Sequence, residues 1–391
     1  MYKVVGLLIL LAGVCFVGEA KTVRFATFNV SMEASNYLPR GAAPTGDELF
    51  ENLKAGDNQQ IRNIAEIIQR IKPDIILLNE FDYTAEASNG VHPFLNHYLA
   101  ISQQGEKPID YPYFYTAPVN TGVASGVDLN NNGVSSDLGG DAFGFGLYPG
   151  QYGMLLLSRY PIELDKIRTF QHFLWKDMPN GLLDSVKAEG GSDWYSPEAK
   201  AVFRLSSKSH WDVPIMIDDK ILHVLASHPT PPVFDGPENR NGKRNHDEIR
   251  FWNDYVSPGN MAEYIYDDKD QKGGINSDKF VILGDLNASA EEGDGNKEGI
   301  GALLNNTKVN SNNIPYSEGG ALHSPNNPQG ACHTAFWRMR ADYVLPSKTL
   351  GEVSASGVFW PIPQDPLHRL IKDRQASSDH RLVWVDVDLA E

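Results

Sequence analysis

Short apolar runs that meet polar clusters constrain the fold of this chain more than any other feature of its sequence. Such runs lie at residues 21–28, 74–78, 221–226, 279–283 and 382–387. The first four lead into a short acidic, amide or histidine cluster, and the last follows one. Because a strand holds the polar side chain at its end rigidly, such clusters can share one crevice. The pattern therefore predicts a cleft lined by strand ends.

The spacing of the apolar residues predicts helices between these strands. Residues 59–71 place Ile61, Ile64 and Ile68 on one helical face, and Pro73 follows directly. Residues 245–266 predict a second amphipathic helix. Alternating strands and helices predict packed β-sheets covered by helices, which is an α/β fold. Two segments rich in Gly, Asn and Asp, at residues 121–150 and 288–301, are predicted to be surface loops.

The charge balance bears on the kind of substrate. The formal net charge is −16 and the sequence pI is about 5.1. Such an acidic chain argues against a basic groove that holds nucleic acid over many phosphates. Bound cations can reverse the sign of a site locally, so the charge disfavours a nuclease without excluding one.

The first 20 residues have the layout of an export signal. Lys3 is followed by an apolar stretch at residues 4–17, and Gly18 and Ala20 provide small residues before a cut. We therefore predict a signal peptide at residues 1–20, one catalytic domain at residues 21–391, and a secreted or periplasmic protein. No other stretch is long and apolar enough to cross a bilayer. Cys332 would be the single cysteine of the mature chain, which excludes an internal disulfide.

Seven motifs together carry a resemblance to a known family. In chain order they lie at residues 27–30, 78–80, 152–162, 227–229, 284–288, 341–345 and 378–380. Examples are Thr27-Phe28-Asn29-Val30, Gly284-Asp285-Leu286-Asn287 and Ser378-Asp379-His380. This order resembles the endonuclease/exonuclease/phosphatase superfamily, the DNase I-like proteins, over residues 21–389. The resemblance implies a two-layer β-sandwich flanked by helices, in four α/β/β/α layers.

The resemblance also implies a divalent-metal site. By this resemblance Glu80 is the principal metal ligand, and Asp379 completes the coordination shell. Further contacts to the metal or the phosphoryl group come from Asn29, Asp285 and Asn287. An oxygen-rich set of this kind suits Mg²⁺ first, and Mn²⁺ or Ca²⁺ could also serve. Taken singly, Glu80 would be interpreted as a surface charge or helix cap, and Asn29 as a turn residue.

The same resemblance assigns catalytic roles. Asp285 serves the attacking water as base or orienter, and Asn287 contacts the phosphoryl oxygens or the metal. His380 contacts the phosphate and is oriented by Asp342, because a carboxylate behind an imidazole fixes its tautomer and favours its charged form. His228 is expected to stabilise charge on the phosphorus in the transition state. A lone histidine at position 228 would more often be structural.

Basic residues near the motifs are candidates for substrate contacts. We expect Arg159, Lys208, His210 and Arg244 to join Asn29 in binding the substrate, because local positive charge in an acidic chain suits a phosphate. For Lys208, His210 and Arg244, a solvated loop charge that pairs with nearby acids is an equally good interpretation, and for Arg159 a structural ion pair is a strong alternative.

The segment 128–133 spaces oxygens as the start of a calcium loop does. Gly139 stands where such a loop would place its last glutamate, so an ordinary Asn/Gly turn is the default interpretation.

Together these patterns predict an exported metal-dependent phosphoester hydrolase. We expect a phosphodiesterase or phosphatase that acts on small or lipid phosphoesters, with metal-activated water attacking in line at phosphorus. The alternatives are a secreted DNase I-like nuclease and a non-catalytic relative that only binds a phosphorylated ligand. The sequence leaves the oligomeric state and the number of metal ions open.

Overall fold

The computed structural model describes residues 21–390, so the expected signal segment at residues 1–20 lies outside the described residues. Within that part of the chain the strands are β1 (Thr22–Met32), β2 (Ile75–Phe81), β3 (Tyr113–Tyr115), β4 (Met154–Ser158), β5 (Arg168–Thr169), β6 (His210–Ile217), β7 (Lys220–Ser227), β8 (Phe280–Asp285), β9 (Asp342–Pro346), β10 (Gly351–Val358) and β11 (Val383–Leu389).

Helices connect these strands along the chain. The α-helices within residues 21–390 are α1 (Glu48–Ala55), α2 (Gln59–Ile71), α3 (Val91–Phe94), α4 (Pro197–Val202), α5 (Arg240–Val256), α6 (Lys297–Leu304) and α7 (Glu318–His323). None of them combines the length and the apolar character needed to cross a bilayer.

The strands form two mixed sheets. One has six strands in the order β10-β11-β1-β2-β4-β3, and the other has five in the order β5-β6-β7-β8-β9. β1 pairs parallel with β2 and antiparallel with β11. β7 pairs parallel with β8, which pairs antiparallel with β9. Together with the flanking helices, this arrangement confirms the predicted DNase I-like α/β sandwich.

Two apolar clusters hold the layers together. The larger cluster joins both sheets with α2 and includes Phe25, Leu77 and Val213. The smaller cluster packs α5 and α6 on the second sheet, where Trp252 and Ile282 are fully buried. Side chains of β7 and β8 alternate between the two clusters, so the second sheet is covered on both faces.

The helix α2 occupies residues 59–71, as the apolar spacing predicts. The Asn58 side chain accepts the N–H groups of Gln60 and Ile61 and caps the start, while Lys72 ends the helix with a φ of 55°. The second predicted helix is wrong in its bounds. The helix α5 begins five residues earlier than expected and ends at Val256, because Ser257 precedes Pro258 and is held in an extended conformation.

The two predicted loops differ in outcome. Residues 121–150 contain no strand and no α-helix, as expected. The loop expected at residues 288–301 ends earlier, because α6 starts at Lys297 with Asn296 as its cap. In the calcium-like segment, Asp128 accepts the N–H groups of Asn132 and Gly133 at 3.2 and 2.7 Å. These bonds describe an Asn/Gly turn, in agreement with the default interpretation of this segment.

Candidate active site

The ends of several strands meet at one edge of the sandwich. Because β1 is parallel to β2 and β7 is parallel to β8, each pair ends on one side. β9 starts from that side, since Asp342 lies opposite Asp285 in the antiparallel β8–β9 pair. The residues that precede β11 return to the same side. This edge carries the following expected side chains: Asn29, Glu80, His228, Asp285, Asp342 and His380.

A buried chain of charged groups forms the centre of this edge. His380 Nδ1–H donates to Asp342 Oδ2 at 2.9 Å, and His380 Nε2 lies 3.5 Å from Asp285 Oδ2. Thr334 Oγ1 also donates to Asp342 Oδ2, at 2.7 Å. All three members of the chain are buried. The imidazole is therefore held between two carboxylates with its orientation fixed.

The charges of His380, Asp342 and Asp285 stabilise one another. Burial would lower the pKa of His380, but the charges of Asp342 and Asp285 outweigh burial and raise that pKa to about 10. Burial acts upward on the pKa of Asp285, whereas the charge of His380 and a hydrogen bond from His228 hold it well below its usual range. At neutral pH, His380 is therefore an imidazolium beside the ionised carboxylate of Asp285.

The second expected histidine reaches the same carboxylate. His228 Nε2 lies 3.4 Å from Asp285 Oδ2. Burial and the positive charge of Lys208 lower the pKa of His228 to about 4, so the imidazole is neutral near pH 7. Its Nδ1 is buried and has no hydrogen-bond partner in residues 21–390. A buried polar atom of this kind is suited to a ligand or a water molecule.

Glu80 and Asp379 form an acidic pair on the other side of Asn29. Asn29 Nδ2 donates to Asp285 Oδ2 at 3.1 Å. Burial raises the pKa of Glu80, and the charge of Asp379 raises it further. A hydrogen bond from Asn29 and the charge of His380 act in the opposite direction. Glu80 also has a φ of 57°, a strained conformation for a non-glycine residue. The charges of the two carboxylates therefore repel each other, and Arg374, whose Nη1 lies 3.8 Å from Asp379 Oδ2, offsets part of that repulsion.

The residues present fit a hard divalent cation. Asp285, Asp342 and His380 offer ligand atoms within 4.8 Å of one another. The imidazolium of His380 already faces carboxylates through both ring nitrogens, so it has no lone pair for a metal. Oxygen ligands suit Mg²⁺ better, and this edge could supply them from four side chains: Asn29, Glu80, Asp285 and Asp379.

Two amides brace this edge. Asn79 Oδ1 accepts the N–H of Asp285 at 3.1 Å, and Asn79 Nδ2 donates to the carbonyl of Ser227 at 3.3 Å. Asn79 thus links β2 in the first sheet to β7 and β8 in the second sheet. Asn287 donates its N–H to Asp285 Oδ1 at 2.9 Å and its side-chain amide to the carbonyl of Pro229 at 3.2 Å. Asn79 fixes the backbone of Asp285, and the backbone N–H of Asn287 fixes the Asp285 carboxylate.

The structure does not bring Arg159 to this edge, which corrects the expectation that it binds substrate. Its guanidinium lies 3.1 Å from Asp74 at the start of β2, whereas Glu80 lies near the end of that strand. The Arg159 side chain is about half exposed there. The sequence motif places Arg159 just after β4, and β4 runs antiparallel to β2, so the residue emerges on the opposite side.

His210 and Arg244 are also corrected, because their polar atoms are engaged in the interior. The ring nitrogens of His210 bond to Ser206 Oγ at 3.1 Å and to the carbonyl of Glu248 at 2.9 Å. The guanidinium of Arg244 donates to backbone carbonyls, including that of Leu205 at 2.8 Å. Both are buried structural groups rather than open substrate contacts. Lys208, the remaining basic candidate, is buried beside His228.

Three residues that the sequence analysis missed contact the candidate active-site residues. The Trp337 ring contacts the His380 ring edge-on, with centroids 4.6 Å apart, and it is 46% exposed. Arg374 Nη1 lies 3.8 Å from Asp379 Oδ2 at the rim. Thr334 holds Asp342 from below. A tryptophan five residues before Asp342 could have been noticed in the sequence as a candidate. Nothing in the sequence distinguishes Thr334.

Comparison of the sequence with known families agrees with this geometry. Residues 26–380 match the Endonuclease/Exonuclease/phosphatase family. The chain belongs to this family. Endonuclease/exonuclease/phosphatase proteins are generally hydrolases that act on phosphoesters. No curated protein matches the sequence significantly.

Three solved structures illustrate what this chain is similar to. A family protein from Beutenbergia cavernae is 16% identical, with a TM-score of 0.51 over 94% of this chain and 72% of that chain. Sphingomyelinase C from Streptomyces griseocarneus is 13% identical, with a TM-score of 0.43 over 94% and 99% of the two chains. The human Nocturnin catalytic domain is 13% identical, with a TM-score of 0.45 over 94% and 95%. The first similarity supports the fold, and none of the three indicates a substrate.

Proposed function

We propose that this protein is an exported, divalent-metal-dependent phosphoester hydrolase that acts on small or lipid phosphoesters. The observation that carries the proposal is the buried Asp342–His380–Asp285 chain beside the acidic pair of Glu80 and Asp379. A fixed imidazolium next to several buried carboxylates suits a phosphoryl group and a cation better than it suits a purely structural core.

The central chain has the groups that an in-line attack by water requires. Asp285 is ionised and buried, so its carboxylate would accept a hydrogen bond from the attacking water and orient it toward phosphorus. The low pKa of Asp285 favours orientation over full proton abstraction. The imidazolium of His380 would donate to a phosphoryl oxygen and stabilise the negative charge that develops there. Asp342 keeps that imidazolium charged and in place.

The remaining side chains would complete the phosphoryl site. His228 is neutral and its Nε2–H faces Asp285, so its free Nδ1 is an acceptor that can take a hydrogen bond from the substrate or a water molecule without adding charge. Asn287 would act mainly by holding Asp285, although its side-chain oxygen remains available to the phosphoryl group or the metal.

Glu80 and Asp379 would hold the divalent cation, with Asn29 and Asp285 beside them. Mg²⁺ is the expected ion, because it prefers carboxylate and amide oxygens, and Mn²⁺ or Ca²⁺ could replace it. A bound cation supplies neutralisation of phosphoryl charge and activation of water. The raised pKa of Glu80 supports this assignment, since a cation would relieve the repulsion that contributes to it.

A panel of substrates tests the proposed function. The purified protein, with Mg²⁺, Mn²⁺, Ca²⁺ or a chelator, is offered a bis-aryl phosphodiester, an aryl phosphomonoester, sphingomyelin and plasmid DNA. We expect metal-dependent hydrolysis of at least one ester other than DNA, in keeping with the net charge of −16. Nicking of DNA faster than every other ester would identify a nuclease instead. No hydrolysis by the metal-bound protein would identify a binding protein.

A further inference from the structure

Lys208 is a buried cation without a partner. Its side chain is 5% exposed, yet within residues 21–390 no carboxylate lies at ion-pair distance from its ammonium and no hydrogen bond links that nitrogen to the protein. Lysine is rarely buried unless it is paired, because desolvation of the charge is costly. An ammonium that has no protein partner, at the end of a largely buried residue, therefore requires an explanation outside ordinary packing.

The backbone directs this lysine to the active-site edge. His210 pairs with Ser227 where β6 meets β7, so Lys208 lies just before that pair and His228 lies just after it. The charge of Lys208 is among the main causes that lower the pKa of His228. Burial lowers the pKa of Lys208 itself, and the charges of Glu248, Glu80 and Asp285 act in the opposite direction. The ammonium is thus surrounded by the groups of the site.

A buried carboxylate fixes the two loops that carry Lys208 and His228. Glu248 on α5 is fully buried and accepts the N–H of Ser207 through Oε1 and the N–H of Thr230 through Oε2, each at 2.6 Å. Both oxygens of Glu248 are therefore used by the backbone on either side of the site. Glu248 holds the segment of Lys208 in register with the segment of His228, and this acts as a positioning contact.

We propose that the ammonium of Lys208 binds a non-bridging phosphoryl oxygen of the substrate, beside the free Nδ1 of His228. This inference rests on the proposed function and adds a specific anion contact to it. An ammonium that is already desolvated interacts strongly with a phosphoryl oxygen, since little further desolvation is needed when the anion arrives. An unpaired Lys208 would then lower the stability of the ligand-free protein and favour binding of an anion.

The test compares Lys208→Met with the wild type and with a control, Lys220→Met. Met has a similar length and no charge, and Lys220 is exposed at the start of β7. Isothermal titration calorimetry measures binding of inorganic phosphate to each Mg²⁺-loaded protein, and thermal unfolding measures stability. We expect Lys208→Met to bind phosphate about ten to a hundred times more weakly. Its melting temperature should equal or exceed that of the wild type. Lys220→Met should bind phosphate like the wild type.

The outcomes separate this inference from the proposed function. Unchanged phosphate affinity in Lys208→Met, or no phosphate binding by the wild type, overturns the inference. A clear loss of stability in Lys208→Met, with phosphate affinity restored at lower temperature, also overturns it, because that result indicates a structural lysine. Weaker phosphate binding in a stable variant, from a wild type that hydrolyses no ester, retains the anion contact and rejects the hydrolase.

Discussion

At the scale of the single residue, the site depends on the pairing of His380 with two carboxylates. The imidazolium is stable in the interior because Asp342 and Asp285 supply compensating charge, and Asp285 stays ionised for the reciprocal reason. If either partner is removed, the remaining buried charge has no counter-charge in the low dielectric of the core. The catalytic and electrostatic roles of these residues are therefore inseparable.

Asp285→Ala and His380→Ala should each lower turnover of the best substrate at least about a hundredfold, because each removes a group that stabilises the transition state. Steady-state kinetics measures the effect, and circular dichroism checks that the fold is retained. Arg159→Ala is the matched control, since Arg159 lies at the opposite end of β2 and should leave turnover unchanged. Near-normal turnover in either active-site variant would refute its role.

His210 should make stability depend on pH. Burial lowers its pKa from 6.5 to about 4, so the folded state resists protonation that the unfolded state accepts. Its contribution is fully present above pH 6.5 and is lost as the pH falls toward about 4, by roughly 3 kcal/mol in total. Urea unfolding at several pH values should show a smaller pH slope for His210→Gln than for the wild type. The exposed His172→Gln should keep the wild-type slope; equal slopes in all three proteins would contradict this account.

At the scale of the element, helix ends and strand ends position the functional groups. The helix α2 packs Ile61, Ile64 and Ile68 against the first sheet, and its polar residues Gln60 and Asn63 hold the segment that leads to Asp379. Gln60 Nε2 donates to the carbonyl of Ser377 at 2.6 Å. The start of α2 is therefore linked to the geometry of the acidic pair.

Asn58→Ala should destabilise the protein by about 1 kcal/mol, because it leaves the first N–H groups of α2 without the cap that Asn58 provides. Asn58→Asp is the control, since a carboxylate accepts the same hydrogen bonds and favours the helix start. The free energy of unfolding in urea measures both variants. An equal loss in Asn58→Ala and Asn58→Asp would show that capping is not the cause.

At the scale of the whole molecule, the acidic balance of the chain and its acidic pair make the folded state sensitive to cations. The net charge is −16, and Glu80 lies in the field of Asp379 within the site. A ligand that binds only the folded protein stabilises it in proportion to its occupancy. Divalent metal is therefore expected to act on stability as well as on turnover.

Mg²⁺ should raise the melting temperature of the wild type, and a chelator should reverse the change and abolish hydrolysis. Glu80→Gln should melt at a higher temperature than the wild type without metal, because it removes a buried, repelled carboxylate, and should respond less to Mg²⁺. Differential scanning calorimetry measures both effects. Glu51→Gln, an exposed change on α1, should respond to Mg²⁺ like the wild type. An undiminished response in Glu80→Gln would exclude Glu80 as a ligand.

The sequence by itself determined the alternation of strands and helices, the bounds of α2 and the order of the polar motifs at strand ends. These features are local, because apolar periodicity and caps act over a few neighbouring residues. The two-layer sandwich was implied by the resemblance of those motifs to a known family. The end of α5 was also local, since Ser257-Pro258 stops the helix, but the apolar spacing alone concealed it.

Only the tertiary structure decided which basic side chains face the site. Arg159, Lys208, His210 and Arg244 are all basic residues near the motifs in sequence. Strand direction nevertheless places Arg159 on the far side, and packing engages His210 and Arg244 in the interior. Lys208 alone among them remains unpaired beside His228. The direction of a side chain depends on strand register and on partners that are distant in sequence, and spacing along the chain specifies neither.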